Sequence, residues 1–578
     1  AALAVGIGGV GVAVSGAGAE ASNVILTKTN AYIENSVITS AGDVNVKAES
    51  LPATGPLGNL TAADLAGVGG ANAFAGKLDD AGETDADDES TTGAGQNERD
   101  NDITGDATFL TQLSGILAAK GIVNSGSLAV TIRTAGSEWS VTDRVKGYSY
   151  VVTRVGDVFK LSTSTIGATV IAATAAIGGG AVGVGVSIGL SFATNLIGWN
   201  LDADAGSNYT TASAPGQVAN GQTVKILGGV REGYVYKYIG STPLAPNSGE
   251  TTVNLKTQDY ANTDLWEQVN LVESPAQVRA YVQNSSINAA GALNQTAISN
   301  TSIDALVVAG SAAVSGGAVG VSVSGAGAVA VNTITTEVKT FIDGDIPIGG
   351  GETAGIKAAG VTLRAEDNSS IKAVTGAASL AAGFGGVGVA VSIGVSGAFN
   401  RIGNDVASYI MNADNAVKTT SGGAITVQAV EAASIDSITV AASLAAAIGG
   451  VGVAVSGAGA AAINSISTTT NAYVMDSVLD SAGAVTIAAS DTSTINAIVA
   501  ALTASIAGGA VGVGVSIGGA FATNLIGSEM QALVKGSTIT ATGAFTQTAT
   551  AAETVRAAVV AGSAAIAAGG VGVGVSGS

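Results

Sequence analysis

The sequence predicts an all-β fold, a repetitive β-solenoid (parallel β-helix) rod carrying two inserted small β-rich modules, and three observations predict it. The first is repetition. The phrase Gly8-Gly9-Val10-Gly11-Val12-Ala13-Val14-Ser15-Gly16 returns in close copies, with its serine at Ser15, Ser187, Ser324, Ser392, Ser456, Ser516 and Ser576. From Ser324 onward these anchors are 68, 64, 60 and 60 residues apart, and a fixed period of this kind marks an array of stacked units. The second observation is alternation: Val, Ile or Ala exchanges with Gly, Ser or Thr at period two, the period of a strand. The third is composition. With 47% hydrophobic but only 4% aromatic residues, and 83 glycines, the interior must be made of small side chains that stack. The every-third-residue glycine of collagen is missing.

Each unit divides into recognisable parts. Eight residues after the anchor stands an asparagine, at Asn23, Asn195, Asn332, Asn400, Asn464 and Asn524. Its amide satisfies backbone groups in turns, so a turn is expected there. The second half of the first unit, Asn30-Ala31-Tyr32-Ile33 through Ser40-Ala41-Gly42, recurs as Asn471-Ala472-Tyr473-Val474 through Ser481-Ala482-Gly483. Behind it Val485, Ile487 and Ala489 alternate as a strand. A 60-residue unit divides into about three coils of some twenty residues, the usual coil size in such folds, with Val and Ile expected to point inward. Long antiparallel hairpins turning at Gly-Gly and Ser-Ala-Gly are the alternative topology.

The Ala-rich stretch Ala441–Ile448 has helical propensity, and with the Gly-Val run behind it mimics a membrane span in length. Strict Val/Gly alternation and the lack of flanking Lys and Arg favour strand, so no membrane span is expected. Scaffold is read over residues 1–50, 166–198 and 276–578. Between them lie an acidic, β-rich insertion at 51–165 and an aromatic, β-rich insertion at 199–275. Insertions in a stacked array are expected where the chain already turns at the surface. The opening residues align with the middle of a later copy and the chain stops just after Ser576, so the array is expected to be a portion of a longer chain.

Charge and chemistry narrow the function. Lys and Arg number 23 against 43 Asp and Glu, a formal charge of −20, which argues against nucleic acid as a partner. There is no Cys or His, so disulfides, thiolate or imidazole metal sites and His- or Cys-based catalysis are excluded. Solenoid enzymes that cleave acidic polysaccharides need clustered carboxylates with a basic residue in a groove. Here the acids gather in the first insertion with only Arg99 for company, so no catalytic residues are assigned. Within that run Asp100, Asp102, Thr104 and Asp106 place oxygen ligands at alternate positions around Gly105, as a calcium loop does. The twelfth position is Thr111, where such a loop needs a bidentate glutamate, so calcium and a solvated acidic loop both stand as readings. In the second insertion, Tyr234, Tyr236, Tyr238, Tyr260 and Trp266 either stack on carbohydrate with exposed faces or form the core of a small module.

The phrases Gly8–Ser15 and Asn471–Ile487 resemble the β-strand repeats of very large bacterial surface proteins, the filamentous-haemagglutinin-like and leukotoxin-type filamentous adhesins. Tyr236-Lys237-Tyr238-Ile239-Gly240-Ser241, with Thr257–Tyr260 and Trp266-Glu267, is similar to a module interspersed in such proteins. The resemblance covers the scaffold and the second insertion. It implies secretion, an extracellular or cell-surface location, and a role in adhesion or fibre formation. The partners it implies are neighbouring repeats or like molecules, and cell-surface glycans.

Overall fold

Period-two alternation makes strands, and in this chain it is sustained far beyond ordinary strand length. The computed structural model describes residues 1–50, 59–82, 108–119, 126, 128–134, 136–143, 149–163, 165–198, 200–201, 206–227, 234–246, 251–258, 260, 265–269, 271–272, 275–346, 355–420 and 422–578. Four unbroken strands of 42 residues dominate it: Ser302–Asp343, Ser370–Met411, Ser434–Met475 and Thr494–Lys535. Each is followed by a short strand and a seven-residue strand, as in Val478–Ser481 and Val485–Asp491. All three kinds pair in parallel with their equivalents in the neighbouring unit, giving three stacked parallel sheets. Strand makes up 74% of the described residues and helix 5%, so the fold is an all-β parallel solenoid.

The coil, however, is the whole unit. Ser456 pairs with Ser392 on one side and Ser516 on the other, and Ser516 pairs with Ser576. The 60-residue repeat is therefore one coil, not the three expected. Gly518-Gly519 and Gly527-Ser528, whose glycines could break a strand, lie inside strand Thr494–Lys535. A glycine flanked by ladder partners on both sides stays extended. Parallel register also excludes the antiparallel-hairpin alternative.

Gly-Gly does turn the chain, into an arc whose two arms stack face to face. Ser443 and Ser456 meet hydroxyl to hydroxyl at 2.8 Å, 13 residues apart, and Ser379 and Ser392 do the same at 2.7 Å. Gly449-Gly450 and Gly385-Gly386 lie midway. Near the arc the arms touch almost backbone to backbone: a Cβ on Gly452 would sit 2.7 Å from the Ala447 carbonyl oxygen. Only small side chains fit between them, such as Ala445, Ala447, Ala454 and Ala507. Val and Ile in this part of the coil therefore point outward, as exposed Ile448, Val451 and Ile517 do, contrary to the inward orientation expected. Farther from the arc the arms diverge around Ile334, Ile402 and Ile466. Beyond that the three sheets enclose a core of Val406, Ile410, Val427, Leu479 and Ile487.

Two ladders run along the stack. The asparagines expected at turns lie inside the long strands, buried at Asn195, Asn332, Asn400 and Asn464 and half-buried at Asn23 and Asn524. From Asn23 to Asn524, each Nδ2 donates to the Oδ1 of the next coil at 2.7 to 2.8 Å. An amide carries both donor and acceptor, so a column of them satisfies itself. Tyr32, Tyr281, Phe341, Tyr409 and Tyr473 stack with centroids 4.6 to 5.0 Å apart and planes 2 to 7° off parallel. These distances match the spacing of hydrogen-bonded strands, about 4.8 Å, so each ring lies directly over its equivalent in the next coil.

The first insertion joins strand Val44–Ser50 to strand Ile166–Ile197, in place of the two-residue turn between Ser299 and Ser302. It folds as five antiparallel strands with helix Ala71–Gly82 and a helix over 108–119, around Phe74, Phe109, Leu113, Trp139 and Phe159. The helices were not expected, although Phe109, Leu113 and Leu117 carry the four-residue spacing of a helix face. The second insertion leaves after Ile197 and returns at Ala276. Their partners Ile334 and Thr336 lie two apart inside strand Ser302–Asp343. It thus interrupts a strand and not a turn. The neighbouring coil holds both cut ends in register, which is why a strand position tolerates it.

Gly385 has φ 156°, and a Cβ there would lie 2.1 Å from the Gly317 carbonyl oxygen, whereas one on Gly519 would meet nothing within 4 Å. Gly385→Ala is expected to destabilise by about 1–3 kcal/mol and Gly519→Ala by no more than about 0.5 kcal/mol. Denaturant midpoints check this, and equal midpoints would mean that the arc is not the tight point of the coil.

Candidate functional site

The calcium-like residues Asp100, Asp102, Thr104 and Asp106 lie outside the described residues. Among the described residues, no group of three or more Asp or Glu is arranged to hold a metal ion.

The aromatic residues of the second insertion come together. Strand Val235–Tyr238 pairs antiparallel with Thr223–Lys225 and with Trp266–Gln268, which sets Tyr238 opposite Trp266. Rings follow at 5.0 Å for Tyr236–Tyr260, 4.8 Å for Tyr260–Trp266 and 5.1 Å for Tyr238–Trp266. Tyr234, Tyr236, Tyr238, Tyr260 and Trp266 are all between 3 and 8% exposed. The Tyr238 hydroxyl donates to the Thr242 carbonyl at 2.9 Å and that of Tyr260 to the Leu255 carbonyl at 2.8 Å. Burial, with Tyr236 beside it, pushes the Tyr260 phenol well above its ordinary range. A sugar platform presents ring faces to solvent. These rings face one another, as the core of the module.

Carboxylates cluster elsewhere, where sequence reading found none. Asp367, Glu431 and Asp491 occupy the same place in three successive coils, each at 0% exposure. Asp367 accepts from Thr336 Oγ1 at 2.6 Å and Asn404 Nδ2 at 2.8 Å; Asp491 accepts from Thr468 Oγ1 at 2.7 Å. Glu431 accepts from Asn404 at 3.2 Å, while its Oε2 and the Asn404 Oδ1 have no partner. Burial first, and then the neighbouring Asp367, raise the Glu431 carboxyl well above the usual range; burial raises Asp367 as well. Sealed inside the coil, these acids are out of reach of a polymeric substrate. The signal that finds them is positional: three acids at one register position, visible only once the coil length is known.

What the coil offers to solvent is an apolar plane. On the second arm, Val451, Val453 and Val455 point outward, and every one of the seven coils carries valine at all three positions. Charge is absent around them: residues 308–332, 376–400, 440–464 and 500–524 contain no Asp, Glu, Lys or Arg. The ion pairs of this sheet, among them Lys339 with Asp405 at 2.8 Å and with Glu337 at 3.3 Å, lie toward the other end of the long strand. Comparison with protein-family models, with curated proteins and with solved structures finds no match. No described helix is long and apolar enough to cross a membrane.

The buried acids set a pH dependence. The folded state holds the Glu431 proton more tightly than the unfolded chain does. Its contribution is therefore fully present below the unfolded pKa of about 4.3 and is lost as pH rises through the raised folded value. Glu431→Gln, neutral throughout, is expected to stabilise by about 1–3 kcal/mol at pH 8 and to change little at pH 4. Melting curves of both proteins at the two pH values check it. A wild type more stable than the variant at pH 8 would overturn the placement of an unsatisfied carboxyl there.

Proposed function

We propose that this chain is a structural and adhesive element of a large secreted bacterial surface or extracellular fibre protein, and that it works as a broad blade. The carrying observation is the coil period. One 60-residue unit advances the stack by a single strand spacing, about 4.8 Å. The arm over 511–535 runs about 80 Å across at ~3.3 Å per residue, so this architecture produces area far more readily than length. Continuous Asn and aromatic ladders support stiffness along the stack, and the charge-free outer plane supports adhesion. The sequence resemblance supports secretion and surface display. Glycan recognition through the aromatic insertion loses its support, because the five rings are buried.

Immunogold labelling of intact cells of the producing organism is expected to decorate the surface or extracellular material, and label confined to the cytoplasm would overturn the reading. In solution, small-angle scattering of the chain should give a flat particle whose longest dimension follows the coil width. A slender rod near 100 Å long, as three coils per unit would build at ~14 Å per unit, is the contrary result.

A further inference from the structure

One column on the outer plane carries a pattern that a single chain does not need. One residue past the anchor serine, the outward position reads Gly16, Ile188, Gly325, Ile393, Gly457, Ile517 from the first coil to the sixth. Glycine and isoleucine alternate strictly. The isoleucines are 47 to 61% exposed. The glycines do not relieve crowding: a Cβ on Gly325 would meet nothing within 4 Å, and on Gly16 or Gly457 only a carbonyl oxygen at 3.9 or 4.0 Å. A β-branched residue would suit each of these strand positions better than glycine does. The result is a row of ridges and notches with a period of about 9.6 Å, twice the strand spacing, beside the three valine columns.

We infer that this face docks a second copy of this chain, with the two stacks displaced by one coil so that the isoleucines of each enter the glycine notches of the other. This deepens the structural reading by naming its partner. A matching surface must repeat at the same interval, and a second copy of this chain does so. The rings of the aromatic ladder recur with centroids 4.6 to 4.9 Å apart, so neighbouring coils keep one regular spacing and ridges and notches recur at a fixed interval along the stack. A two-fold axis that sets coil one against coil six, two against five and three against four puts Gly opposite Ile every time and closes the pair. The valine columns and the two outward positions beyond them cover about 800 Å² over the six paired coils at ordinary strand dimensions, the area each partner contributes to a standard stable interface. No charge has to be desolvated in the four coils named above. A fluid lipid surface would match the apolarity but has no reason to select a notch in every second coil.

The test uses the whole chain in sedimentation equilibrium with two variants. Gly325→Ile with Gly457→Ile fills notches; Ile188→Gly, Ile393→Gly and Ile517→Gly together remove ridges. The wild type is expected to dimerise, each variant alone to self-associate at least about tenfold more weakly, and an equimolar mixture of the two to recover a heterodimer, since the ridges of one then meet only notches. Circular dichroism verifies folding, and should the ridge-less variant unfold, the notch-filled one decides alone. A folded wild type that stays monomeric, or a notch-filled variant that dimerises as well as wild type, overturns the inference. So does co-sedimentation with phosphatidylglycerol vesicles without any dimer, which would make lipid the occupant. None of these outcomes bears on the surface labelling that tests the proposed function.

Discussion

Everything in this protein depends on the in-register parallel ladder that sets each residue on its own equivalent one coil away. Hydrogen-bonded strands lie about 4.8 Å apart, so a side chain's nearest neighbours along the stack are copies of itself. That spacing rewards residues that are good partners for their own kind. Asparagine closes an amide column from Asn23 to Asn524, and the rings from Tyr32 to Tyr473 stack nearly parallel. The same rule penalises residues that repel their own kind. Asp367, Glu431 and Asp491 share one buried register position, and the middle carboxyl is left short of a partner.

A second constraint is the thinness of the arc. Where the two arms come nearly into backbone contact, the interior has room only for Gly, Ala and Ser, and the ordinary distribution of side chains inverts. Bulky apolar groups that would fill the core of a wider solenoid are displaced to the outside, as Ile448 and Val451 are. Toward the other end the sheets separate and the usual arrangement returns, with Ile410 and Leu479 fully buried. Within each arm of a 42-residue strand the chain passes from an inside-out segment to a conventional one with every second residue still buried, and the alternation shifts phase only at the arc, over 448–451.

The insertions follow the same logic. A ladder that holds each segment from its neighbours makes the continuity of any one coil dispensable. The coil cut between Ile197 and Ala276 still pairs on both sides of the cut. The inserted modules need their own cores, and they have them: Phe74, Trp139 and Phe159 in the first, Tyr236, Tyr260 and Trp266 in the second. The large aromatic groups are concentrated there because a compact module of this size encloses a volume that the thin arc does not.

The sequence by itself determined the repeat, its strand character, its anchor register and the places where the scaffold is interrupted, because period, alternation and glycine placement are local properties of the chain. It also named the five aromatic residues that come together in the second insertion, leaving open whether they face solvent or one another. Only the tertiary structure decided the rest. Alternation fixes that two faces differ without fixing which is inside; the backbone approach at Gly452 decided that, and turned Val453 outward. A 60-residue period is compatible with one coil or three, and pairing of Ser516 with Ser576 chose one. The buried acids and the column of alternating Ile and Gly are spread over residues tens of positions apart, and they become a cluster and a surface only when the coil length brings them into one register.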